Sequence, residues 1–129
     1  MDVTAVLGQC DVMAFAPTCD QTRAIEFYRG KLGLKLTSAD GFAAVFDANG
    51  IMLRVTNVPN PLTPQRFTIL GWKVADIAAA ARALSEKGVS FERYPGITQD
   101  ELGVWTAPGG TKVAWFRDPD GNILSLTQL

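Results

Sequence analysis

A chain of 129 residues, 47% hydrophobic and 19% charged, has the size and apolar content of one globular domain and is too apolar for disorder. Its 12 basic and 13 acidic residues nearly cancel and no basic tract stands out, which argues against nucleic acid as a partner. No apolar run approaches the roughly 18 residues of a membrane span, and histidine, the commonest acid/base group near neutral pH and a common metal ligand, is absent from the chain. Asp2 with no basic cluster beside it argues against a signal peptide, and Cys10 and Cys19 read as reduced thiols, so a cytoplasmic location is expected.

Residues 1–10 carry no pattern and read as an extension. Residues 11–17 are apolar and strand-like. Asp20 follows as an N-cap whose carboxylate can accept the free amides of a first helical turn. Ala24, Phe27, Tyr28 and Leu32 recur at helical spacing, and Gly33 fits a C-terminal stop. Residues 34–38, 42–46 and 51–56 read as strands, the last two joined by the turn Asp47-Ala48-Asn49-Gly50. Three prolines in NVPNPLTPQ make residues 58–66 a linker. The order then begins again: a strand over 67–74, a cap at Asp76, an alanine-rich helix with Ile77, Ala80, Ala81 and Leu84 on one face, and a stop at Gly88. A strand is expected over 89–94 and a long loop over 95–110. The chain ends in a hairpin, residues 113–117 and 122–126 around Asp118-Pro119-Asp120-Gly121, where Asp, Pro and Gly suit the first, second and fourth corners of a type I turn.

The spacing is that of one module written twice. Asp76 follows Asp20 by 56 residues and Gly88 follows Gly33 by 55; Asp118 and Gly121 follow Asp47 and Gly50 by 71. FAAVFDANGIMLRVT therefore overlies VAWFRDPDGNILSLT without a gap, and the extra length in the second copy is the 95–110 loop. Two βαβββ modules (11–57 and 67–129), each with a helix covering one sheet face, form a single α+β domain over 11–129.

The stretches DQTRAIEFYRGKLGLKL, GWKVADIAAAARALSEKGV and FRDPDGNILSL resemble the vicinal oxygen chelate superfamily, which includes glyoxalase I, the bleomycin-resistance proteins and extradiol dioxygenases. The resemblance implies a curved eight-stranded mixed sheet around a cup that holds a divalent metal and a small substrate. It also implies four metal ligands, on the first and last strand of each module. The last-strand positions here are Arg54 and Ser125, and the first-strand positions, counted back from the helix caps, are Met13 and Ile69. Neighbouring Val12, Ala14, Thr68 and Leu70 would not restore a ligand set. None of the four is a carboxylate or imidazole, so no metal and no cofactor are expected.

Arg54 is the sharpest candidate in its place. Strand alternation sets Ile51, Leu53 and Val55 under the helix and Met52, Arg54 and Thr56 on the other face. There Arg54 either grips an anionic oxygen with its paired donors or serves as an ordinary surface or ion-paired arginine. Ser125 offers a hydrogen bond but has no histidine to activate it as a nucleophile. In the 95–110 loop, Trp105 and Gln99 are candidate ligand contacts; Asp100 or Glu101 would act as a base only on reaching the cup with a raised pKa. Trp72 and Trp115 suit the core or the pocket. Three functions compete: a metal-independent protein that binds or transforms a small anion, as a lyase or isomerase if catalytic; a metal-free drug-sequestering protein; and a metal-dependent lyase or dioxygenase, which these residues disfavour. Strand edges of such modules pair readily, so a homodimer is expected.

Overall fold

A computed structural model describes residues 6–129, so half of the expected N-terminal extension lies outside the described residues. The chain forms two copies of one unit. In the first, β1 (Met13–Thr18) leads through α1 (Gln21–Ile25) to β2 (Lys35–Ala39), β3 (Ala43–Ala48) and β4 (Ile51–Asn57). In the second, β5 (Thr68–Lys73) leads through α2 (Ile77–Glu86) to β6 (Trp105–Thr106), β7 (Lys112–Arg117) and β8 (Ile123–Gln128). The eight strands make two four-stranded mixed sheets, β1-β4-β3-β2 and β5-β8-β7-β6, in which only the first and last strand of each unit run parallel.

The local signals act as their chemistry requires. Asp20 and Asp76 sit in extended backbone and each accepts the amide three residues on, Arg23 at 3.2 Å and Ala79 at 3.1 Å. Gly33 and Gly88 end the helical segments at φ of 77° and 87°, a conformation costly to any residue with a Cβ. Residues 58–66 stay free of regular structure, as three prolines dictate.

Two elements depart from the expected pattern. After Ile25 the first helix widens into a π-helical segment, Glu26–Lys31, in which the amide of Leu32 reaches back five residues to the Phe27 carbonyl. Within this segment the consecutive Phe27 and Tyr28 are both buried. The strand expected over 89–94 shrinks to one bridge, Phe91 to Phe116, and the strand that completes the sheet lies inside the expected loop, as β6. The reason is the self-contained bonding of the intervening segment. Gln99 donates to the carbonyls of Glu92 and Gly103 and accepts from the amide of Tyr94; Asp100 accepts from the amides of Leu102 and Val104; Arg93 donates to the carbonyls of Asp100 and Glu101. The edge of the second sheet is thus built from two pieces.

The sheets share one core. Inner-face residues Phe46, Leu53 and Val55 of the first and Ala114, Phe116, Leu124 and Leu126 of the second belong to the same buried cluster, bridged by Phe27 and Tyr28. Phe27 packs on Tyr28 and Phe116, Tyr28 on Phe46, and Trp72 stacks on Phe116. Trp72 is therefore a core residue. Ile51, expected under the helix, is exposed at the strand's start.

The closing turn joins the two units. The buried Asp118 carboxylate accepts four hydrogen bonds: one oxygen takes the Tyr28 hydroxyl at 2.7 Å and the Asn122 side-chain amide at 2.8 Å, the other the amides of Asp120 and Asn122 at 2.9 and 3.0 Å. Asn122 also donates to the Pro17 carbonyl, and Asp120 accepts from the Cys19 amide, both at 2.9 Å. Cys10 and Cys19 are free and exposed. Burial holds the Asp118 carboxyl above its ordinary range, partly offset by the bonds from Tyr28 and Asn122. Burial, then the Asp118 charge beside it, keeps the Tyr28 phenol protonated and donating.

Tyr28→Phe removes one donor from a buried carboxylate, so it is expected to cost about 1.5–3 kcal/mol in urea denaturation at neutral pH. The lost bond favoured the ionised form, so the variant's Asp118 pKa rises further. The deficit is therefore full above that pKa and shrinks as pH falls through it. An unchanged urea midpoint would show that this bond contributes nothing.

Candidate functional site

With the inner faces joined in one core, the outer faces turn away from it, and strand alternation decides what they carry. On the first sheet the outer face presents Met13 and Phe15 from β1, Val45 and the exposed Asp47 from β3, and Met52 and Arg54 from β4. Arg54 stands between Phe15 and Val45 in register, and Met13 beside Met52. Leu53 and Val55 on the reverse are fully buried, so the parity expected for Arg54 holds. Open apolar side chains flank it: Phe15 is 57% exposed, Met13 44% and Met52 43%. A shallow groove runs beside them, lined by Thr37, Val45, Asp47, Gly50 and Met52. Arg54 itself is half-buried and makes no hydrogen bond or ion pair among the described residues. The nearby Asp40 carboxylate is held low chiefly by the amides of Phe42 and Ala43, and only in lesser part by the charge of Arg54.

On the second sheet the outer face carries Gly71, Ser125, Trp115 and Trp105. Ser125 pairs with Gly71 on one side and Trp115 on the other. A methyl group at position 71 would lie 2.6 Å from the Ser125 Oγ, so the hydroxyl occupies space that glycine leaves. Ser125 is 7% exposed, and its hydroxyl has no hydrogen-bond partner among the described residues. The Trp105 and Trp115 rings lie 6.1 Å apart at 30°, and Tyr94 meets Trp115 edge-on at 5.4 Å. Tyr94 and Gly71 are the residues that inspection of the sequence left out of this face, while Trp115, open to core or pocket, lies on it; the 56-residue repeat marks Gly71 as the counterpart of Phe15.

The residues beside Arg54 and Ser125 are Phe15 and Gly71, 56 apart like the two helix caps. Met13 lies two residues away, against Met52. Ile69 falls where the β5–β8 register slips and packs against the core, so it does not share the face of Ser125. Of the two positions counted back from the caps, Ile69 turns to the core and Met13 keeps the outer face that carries Arg54. Gln99 is likewise committed: its amide holds the loop together, as does the carboxylate of Asp100. Glu101 is exposed at the loop's tip.

The four positions at which the resemblance would set metal ligands, Met13, Arg54, Ile69 and Ser125, hold a thioether, a guanidinium, an alkyl chain and a hydroxyl, and the cross-strand neighbours Phe15 and Gly71 add no donor. Between them they supply one oxygen donor, which does not fit a divalent ion. Among the described residues no group of three or more His, Cys, Asp or Glu is arranged to hold one elsewhere. Nor is any helix long and apolar enough to cross a membrane.

The sequence matches the Glyoxalase/Bleomycin resistance protein/Dioxygenase superfamily over residues 9–126. No curated protein matches it significantly. Solved structures align over nearly the whole chain. They include an integron cassette protein from the mobile metagenome of a Halifax Harbour sewage outfall, 20% identical over 94% of this chain and 99% of that one, with a TM-score of 0.70. Lactoylglutathione lyase from Agrobacterium tumefaciens is 17% identical over 92% and 93%, with a TM-score of 0.69. A glyoxalase/bleomycin resistance protein from Catenulispora acidiphila is 21% identical over 92% and 97%, also at 0.69. At these identities the likeness establishes the fold.

Gly71→Ala should cost about 1–3 kcal/mol, because the new methyl collides with the Ser125 hydroxyl. Most of that loss should return when Gly71→Ala is combined with Ser125→Ala. A double-mutant cycle in denaturant measures it; additive losses would mean the two side chains do not share that space.

Proposed function

The chain belongs to the glyoxalase/bleomycin resistance protein/dioxygenase superfamily, and from that membership we propose that it binds a small anionic molecule without a metal, with Arg54 as the anchor. The observation that carries this reading is the guanidinium of Arg54, half-buried on an apolar outer face with no ion pair among the described residues. A partly desolvated cation left unpaired is free to give two parallel donors to a carboxylate or phosphate. Phe15, Met13 and Met52 around it lower the local dielectric and strengthen that contact. If the bound molecule is transformed, the chemistry is that of a lyase or isomerase assisted by the positive charge of Arg54 on a developing oxyanion.

A sequestering role toward a cationic drug shares the metal-free cup but opposes the charge of Arg54. The uncommitted guanidinium therefore favours the anion. The open edges of the two sheets, β2 and β6, also support a homodimer, which leaves the face of Arg54 free for the ligand.

Thermal-shift screening should find stabilisation by small carboxylates or phosphates and none by cationic glycopeptides. Arg54→Ala should weaken the anion about tenfold to a hundredfold, as loss of a charge-assisted bond of about 1.5–3 kcal/mol requires. A shift that survives the substitution would sink the anchor. Stoichiometric bound metal with a metal-dependent activity would overturn the metal-free reading. Sedimentation equilibrium should report twice the 13.9 kDa chain mass.

A further inference from the structure

We infer that the outer face of the second sheet is a binding site for a planar aromatic ring, with Trp105 and Trp115 as its stacking surface and the Ser125 hydroxyl as its polar contact. Three observations meet there. The indole rings lie only 30° from parallel at 6.1 Å, and Tyr94 braces Trp115 from the side. Both tryptophans are half-buried, so each keeps an accessible surface. Ser125, nine-tenths buried, lies between Trp115 and Gly71 with its hydroxyl unpartnered among the described residues, yet no buried side-chain atom is left both sealed and unsatisfied. A hydroxyl in a mostly buried residue that stays open on one side is a position for a ligand's donor or acceptor.

The surroundings suit a flat ligand. Gly71 is exposed and without a side chain, so nothing rises from β5 beside Ser125. The aromatic wall is rigid, because Trp105 sits on a strand paired to β7 and Tyr94 is anchored through its amide to Gln99. A preformed surface loses little entropy on binding. Saturated chains would gain the burial but not the ring–ring geometry, which favours offset or tilted aromatic partners. The ring site rests on second-sheet residues alone; the further step, that the ring belongs to an aromatic acid, rests on the anion reading of Arg54.

Calorimetric titration separates the two. The probes are naphthoate, its fully saturated counterpart, a hydroxynaphthoate and neutral naphthol. Wild-type protein should bind naphthoate about three- to tenfold more tightly than the saturated acid, the range expected of an aromatic pair beyond area burial. Trp105→Leu should bring that ratio to near one while the saturated acid still binds. Ser125→Ala, the milder variant should Trp105→Leu not fold, should erase any advantage of hydroxynaphthoate over naphthoate. Arg54→Ala should weaken both acids and leave their ratio unchanged. Equal affinities for the aromatic and saturated acids, with Arg54 still required, overturn the ring site and spare the anion reading. Naphthol binding that Trp105→Leu abolishes, with no acid binding, supports the ring site and overturns the anion reading.

Discussion

The carboxylate of Asp118 is the constraint on which the two-unit architecture depends. One buried group accepts a hydroxyl from the first helix, a side-chain amide from its own turn and two backbone amides. A neutral amide at that position could not accept all four, since one of its two terminal atoms is a donor. The requirement explains why the helix passes through a π-helical segment beneath it, where Phe27 and Tyr28 both face inward. Phe27 then packs against Phe116 of the second sheet while Tyr28 spans from Phe46 of the first to Asp118. Packing and hydrogen bonding thus fix the same interface.

The repeat is not symmetric in this respect. Asp47, the counterpart of Asp118, is exposed and among the described residues accepts only the amide of Gly50, within its own turn. Where the second unit closes on the first with hydrogen bonds, the first meets the second across a groove lined by Ala14, Leu53, Leu70 and Trp72. The consequence reaches the outer faces. With the inner faces held together on one side by Asp118, the rows that carry Phe15 and Arg54, and Gly71 and Ser125, are presented outward on rigid strands and not on loops.

Much of this was legible in the residues. The helix caps, the glycine stops and the closing turn depend on local chemistry, so Asp20, Asp76, Gly33 and Gly88 could be placed by inspection. The parity of β4 followed from alternation, and with it the face of Arg54. What could not be read depended on long-range contacts. The π-helical segment exists because Tyr28 must reach a residue 90 positions away. The split edge strand exists because Gln99 and Asp100 satisfy the backbone of their own loop. Ile69 turns from the outer face to the core because β5 slips register between Thr68 and Leu70, and strand spacing does not encode a slip.

The charge at position 54 sharpens what the fold can do here. Two unit charges about 4 Å apart interact by roughly 4 kcal/mol at an effective dielectric near 20. A divalent ion at that distance from a guanidinium would be opposed by about twice as much, while a monoanion would be favoured by about the same 4 kcal/mol before its own desolvation is subtracted. In the proposed function the same side chain would work against a metal and toward an anion, and no acidic ligand stands at the other three positions to reverse the balance. Phe15, Gly71 and Ser125 add apolar surface, open space and one hydroxyl. Under the proposed reading, a neighbourhood of that kind would recognise an organic anion by shape and a single charge, a different task from polarising it with a cation.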